Sequence, residues 1–171
     1  QVEPRRFAMF AQARYGYVRD KLETAAAAPA FNDAACDKAS VALVPVVRGR
    51  WKRLRRAVDD LGDNPSDDAL HRVRVRAKQC RYAAEACEPA FGKPARRLAR
   101  STAKVQDVLG EHQDAIVAID WLTKTAHECS PAEAFAIGML AQVERDAAAS
   151  ARVAFPTVWR RVDTKRVHGW L

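Results

Sequence analysis

Two stretches of this chain carry apolar residues at strictly alternating steps of three and four: Val44, Val47, Trp51, Leu54, Val58, Leu61, and then Leu70, Val73, Ala77, Cys80, Ala84, Cys87. On a strand such steps scatter side chains over both faces, whereas on a helix they draw one stripe. Abundant alanine, only 7 glycines and no sustained β-branched alternation point the same way, to an all-α chain. The spacing predicts helices over Pro4 to Ala27, Asp37 to Leu61 with a bend at Pro45, and Ser66 to about Cys87. A fourth starts near Pro94, with Leu98, Thr102, Val105 and Leu109 on one face; Gly110 either interrupts it or lets two helices approach closely. Another helical stretch runs from Glu111 to about His127. Ser130-Pro131-Ala132-Glu133 has the form of a capping box and opens a helix that reaches Ala154 and ends at Pro156. The remainder, with Trp159 and Trp170, docks or frays. Long helices joined by short turns make an up-and-down bundle, and with no low-complexity linker residues 1–171 read as one domain.

The charge is concentrated. The chain has 29 Lys and Arg against 21 Asp and Glu, a net of +8. Between Arg48 and Lys104 there are 16 basic and 7 acidic residues, a net of +9, so one third of the sequence holds the whole excess. On the third helix His71, Arg74, Lys78 and Arg81 each follow a seam residue by one place. At 1.5 Å per residue they span roughly 15 Å, about 5 Å apart and about 100° from the seam. Arg48, Lys52 and Arg55 repeat the pattern on the second helix, and Arg97, Arg100 and Lys104 flank the Leu98 seam on the fourth. Packed side by side, the three columns can converge on one groove.

Like charges three and four apart weaken a helix by a few tenths of a kcal/mol per pair, a cost that a bound anion relieves. The matching anion is long and dense. Inorganic polyphosphate fits best, because Arg and Lys meet phosphate oxygens with charge-assisted bonds and His71 adds a donor, or a charge when protonated. Single-stranded nucleic acid is the next candidate, although no stacking aromatics or recognition helix stand out. A solvated basic face and a groove for an acidic protein segment are the alternatives without a phosphate ligand.

His71-Arg72-Val73-Arg74-Val75-Arg76-Ala77-Lys78-Gln79-Cys80-Arg81-Tyr82 has the form H-x-x-R-x-x-x-K-x-x-R-Y, and Lys104-Val105-Gln106-Asp107-Val108-Leu109-Gly110-Glu111-His112-Gln113-Asp114 follows it. Together these resemble the CHAD (conserved histidine α-helical domain) family, most clearly from Arg48 to Leu122 and on through the last helix; the first forty residues carry no motif of it. The resemblance implies a helical domain that binds polyphosphate through basic residues lining a groove or pore, as a non-catalytic targeting module. By motif, His71, Arg74, Lys78 and Arg81 would be the contacts, with Lys104 on the facing helix; Arg48, Lys52, Arg55, Arg97 and Arg100 come from the columns alone. The family has two related four-helix halves. A chain with one His/Arg-rich helix, starting at Gln1, is expected to be one half, completed by a missing repeat or a second copy as a homodimer.

Other constellations carry less. His112 and Asp114 invite a metal-dependent phosphohydrolase reading, but one pair is too few ligands and no second His-Asp cluster follows, so no active site, metal or cofactor is expected. His112 is expected at the edge of the groove. Gln106 and Asp107 are placed to hold basic side chains. Cys36, Cys80, Cys87 and Cys129 form no Cys-x-x-Cys pair; Cys80 and Cys87 read as small buried thiols, and the set suits the reducing cytoplasm. The longest apolar run, Val41 to Val47, stops at Arg48, far short of the ~18 residues of a membrane span.

Overall fold

A computed structural model describes residues 13–171, which fall into two compact units divided between Lys38 and Ala39. Residues 1–12, where the first predicted helix begins, lie outside the described residues. Within the first unit, α1 (Ala13–Ala27) is followed by a 3-10 turn at Asp33–Cys36. Tyr17, Val18 and Leu22 of α1 are exposed, and Arg19 pairs with Asp20 on its surface.

The second unit contains α2 (Ala39–Asp59), α3 (Asp67–Ala86), a single turn α4 (Glu88–Phe91), α5 (Lys93–Ala126), α6 (Pro131–Val162) and a single turn α7 (Lys165–His168). No strand occurs among the described residues. The Ser66 hydroxyl caps α3 by accepting from the Ala69 amide at 3.2 Å, and Asp67 and Asp68 lie against the positive end of the helix. The capping box of α6 closes as read: Glu133 accepts from the Ser130 amide at 2.9 Å while the Ser130 hydroxyl faces the Glu133 amide. Gly62 and Gly92, both at positive φ, turn the chain after α2 and before α5.

The end expected at Pro156 does not occur, nor does the interruption, one of two alternatives at Gly110. α5 runs unbroken through Gly110, because its buried stripe continues from Leu109 to His112 and Ala115 without a change of phase. α6 passes through Pro156 to Val162: Phe155 and Val162 anchor it on the core, and Pro156 itself is exposed. Tertiary packing here outweighs a local penalty of about 1 kcal/mol for glycine and about 3 for proline.

The core confirms the seams. Val47, Trp51 and Leu54 of α2 meet Leu70, Val73, Ala77, Cys80 and Ala84 of α3, with Ala95, Leu98, Val105 and Leu109 of α5 closing the other side. α3 thus lies between α2 and α5, and α6 packs along α5. Burial pushes the Cys80 thiol up to about 12 and raises that of Cys87, so both behave as small core residues. The C-terminal segment docks: Trp51 stacks with Trp159 at 5.6 Å and with His168 at 4.8 Å, and Trp170 lies against Phe91 at 5.1 Å. No helix among the described residues is long and apolar enough to cross a membrane.

Candidate polyanion site

With the α3 seam turned into the core, a step of one residue rotates a side chain by about 100° onto one flank of the helix. That flank faces α5. The Arg74 guanidinium lies against Gly110: a Cβ there would sit 3.6 Å from Nε and 3.9 Å from Nη2. Nδ1 of His71, Nε of Arg74 and Nε of Arg81 are buried without a hydrogen-bond partner, and so is Oε1 of Gln106 on α5. Arg81 has one carboxylate nearby, Glu85, with Nε and Oε1 3.5 Å apart, an ion pair too long for a good hydrogen bond. Lys78 is exposed; its ammonium stands 5.8 Å from the Tyr82 ring, and the Arg81 guanidinium carbon stands 4.9 Å from the same ring. Buried polar atoms without a partner are rare and cost about 1–3 kcal/mol each, and here three belong to the α3 column and one to α5.

The other two columns have different surroundings. Arg48 on α2 donates from Nε to the carbonyl of Leu171 at 2.8 Å, and Arg55 stands 3.6 Å from Asp163. Arg97 on α5 donates to the carbonyl of Arg166 at 3.0 Å. The Arg48 and Arg97 guanidiniums therefore hold the C-terminal segment, Arg55 forms a looser ion pair with it, and Lys52 between Arg48 and Arg55 is exposed. Arg97, Arg100 and Lys104 line a shallow hollow with Lys93, Arg96 and Ser101, to which α3 contributes nothing. Arg100 also borders Glu85 and Glu88, the second of which accepts from Arg96 at 2.6 Å.

The single groove expected from the spacing is thus divided, and helix handedness explains why. Antiparallel neighbours turn in opposite senses when viewed down one axis. Residues one after the seam on α3 and on α5 therefore face each other, which is why Gly110 meets Arg74. Residues one after the seam on α2 point away from α3. The positions of α2 and α3 that meet are those one before the seam, and these bring Arg53 together with Arg72 and Arg76. With Arg56, Ala57, Asp60, Leu61 and Ala69 they line a further hollow.

The family model for the CHAD domain matches residues 6–123, more than half of the sequence. The chain belongs to the CHAD-domain family. The match takes in most of the first forty residues, and it stops before α6. Two relatives of this CHAD domain are uncharacterized proteins of Mycobacterium tuberculosis, from strains CDC 1551 and H37Rv; each is 34% identical over 119 residues, covering 68% of this chain and 22% of the relative. The chain therefore spans about a fifth of the length of the curated relatives it matches. No solved structure gives a significant match.

His112 of this CHAD domain does not line a groove edge. It is buried where α3, α5 and α6 meet, and its Nε2 accepts from Arg152 Nε at 3.2 Å. Arg152 also donates to the Pro65 carbonyl at 2.8 Å and to Asp67 Oδ1 at 2.6 Å, and that oxygen lies 3.2 Å from His112 Nε2. Burial pushes His112 below its ordinary value of 6.5; Asp67 opposes this and Arg152 adds to it. A neutral imidazole suits its place as acceptor for the guanidinium. Asp114 and Asp107 are exposed, and no group of three or more His, Cys, Asp or Glu among the described residues is placed to hold a metal.

Proposed function

We propose that this CHAD domain binds inorganic polyphosphate along the α5 flank of α3, as a non-catalytic module of the cytoplasm. CHAD domains are known for binding polyphosphate. What supports the reading here is the row of buried nitrogens on His71, Arg74 and Arg81, none hydrogen-bonded and only Arg81 beside a carboxylate, with the exposed ammonium of Lys78 among them. Such donors lie at the pitch of a repeating anion, and guanidinium forks bind phosphate oxygens in pairs. The ligand bridges His71 at one end and Arg81 at the other. Arg100 and Lys104 extend the positive field on α5, whereas Arg48 and Arg97, and more loosely Arg55, serve mainly to hold the C-terminal segment. A second copy of the chain, or a further repeat, lengthens the basic surface.

The test is titration of long-chain polyphosphate onto the parent and onto the R74A/K78A/R81A variant at two salt concentrations. Three cationic phosphate contacts, Arg74, Lys78 and Arg81, give a log–log salt slope of about −2, taking about 0.7 per neutralised charge for a flexible polyanion. The variant should lose most of the affinity and about two units of that slope. Equal binding by parent and variant at moderate salt overturns the proposal. Competition with single-stranded DNA separates a polyphosphate site from a nucleic-acid site, and phosphate release dependent on added divalent metal would replace a binding module with a hydrolase.

A further inference from the structure

The hollow between α2 and α3 faces away from the column just described, on the other flank of α3. Four arginines line it, Arg53 and Arg56 from α2 and Arg72 and Arg76 from α3, around a floor of Ala57, Leu61 and Ala69. One carboxylate, Asp60, stands among them. The guanidinium groups of Arg53, Arg56 and Arg72 have neither a hydrogen bond nor an ion pair among the described residues, and that of Arg76 reaches only the neutral amide of Gln79, at 3.1 Å. Arg53 and Arg56 are three apart, Arg72 and Arg76 four apart, so each helix bears a like-charge pair that weakens it, and the two pairs face each other. The hollow encloses about 380 Å³ and opens to solvent, with room for several phosphate groups. A small residue floor, planar donors on two walls and a strong excess of positive charge suit a compact oligophosphate.

Resting on the polyphosphate reading of α3, we propose that this hollow is a second phosphate-binding subsite, and that a polyphosphate chain long enough to cross α3 occupies both flanks at once. The distance to cross is about one helix diameter, roughly 10 Å. The ridge between the flanks carries Gln79, Lys78 and Val75, with no carboxylate to repel the chain. Short chains fill one flank or the other, while a long chain gains the second contact at high effective concentration.

The experiment compares tripolyphosphate with long-chain polyphosphate on three proteins: the parent, R53Q/R56Q/R72Q/R76Q and R74A/K78A/R81A. The parent is expected to take up two tripolyphosphates and each variant one. The quadruple variant is expected to lose about a hundredfold in affinity for the long chain, the lower end of what linked sites provide. All four arginines are exposed, so the fold should survive; a matching thermal melt and R72Q/R76Q as a milder variant guard that point. A quadruple variant that keeps the parent's stoichiometry and long-chain affinity overturns the second subsite alone. Loss of all binding in the quadruple variant, with none in R74A/K78A/R81A, overturns the reading of the α3–α5 column instead.

Discussion

Arg48 and Arg55 on α2, and Arg74 and Arg81 on α3, stand in the same relation to their apolar seams, each one place further along the chain. Their surroundings differ. The first pair meets a backbone carbonyl and a carboxylate supplied by the C-terminal segment. In the second pair Arg74 lies against Gly110 and Arg81 stands 3.5 Å from Glu85 of its own helix, and neither Nε has a hydrogen bond. Equal spacing therefore yields, in Arg48, a cation bonded to a backbone carbonyl and, in Arg74, one whose Nε is buried without a hydrogen bond. The difference lies in what the neighbouring helix presents. An arginine whose acceptor belongs to the fold contributes to stability; one without such an acceptor is, on the function proposed above, kept for a ligand.

That contrast can be broken by measuring stability and binding on the same substitutions. The largest effect is expected in binding: R74A/K78A/R81A removes three charge-assisted contacts of about 1.5 kcal/mol or more each, so polyphosphate affinity should fall by about a thousandfold while the thermal midpoint stays or rises. Next comes Arg152, which has three acceptors in the fold. R152A should destabilise the domain by about 2 kcal/mol, discounted for its partial exposure, and leave binding intact, as read by a denaturant melt beside a titration. His112 sharpens the same point through pH. Its folded pKa lies below 6.5, so as the pH falls below that value the unfolded chain takes up the proton first and stability drops, levelling off once the folded imidazole is protonated. H112Q should flatten the decline in stability between pH 7 and pH 5, a range bracketing the ordinary value near 6.5. R48A and R55A, at exposed sites, should cost under about 1 kcal/mol each and change affinity little. Smallest is G110A. Its new methyl meets Arg74 at ordinary contact distance, so the helix should gain up to about 1 kcal/mol, whereas G110L should displace the guanidinium and weaken binding.

Much of the fold was legible in sequence because the signals are local. Every residue of the Leu70-to-Cys87 seam is buried, and both predicted caps form at Ser66 and Ser130. Pro156 misled because propensity counts a penalty without seeing the packed stripe that outweighs it, and of the two readings of Gly110 the structure keeps the close approach and drops the interruption. The candidate site was half legible. The α3 column follows from spacing, but which flank of α2 or α5 meets it depends on antiparallel handedness, and that requires choosing residues before the seam on one interface and after it on the other. Applied to the sequence, this rule selects Arg53, Arg72 and Arg76. His112 was misplaced for a different reason: its partner Arg152 lies 40 positions away, and no periodicity links them.

The stacking of Trp51 between Trp159 and His168 makes the attachment of the last helix visible to light. Indole emission from the protein interior is blue and shifts red on meeting water, so release of the C-terminal segment should report itself without any label. Trp121, already 63% exposed, supplies a built-in reference that a soluble quencher silences first.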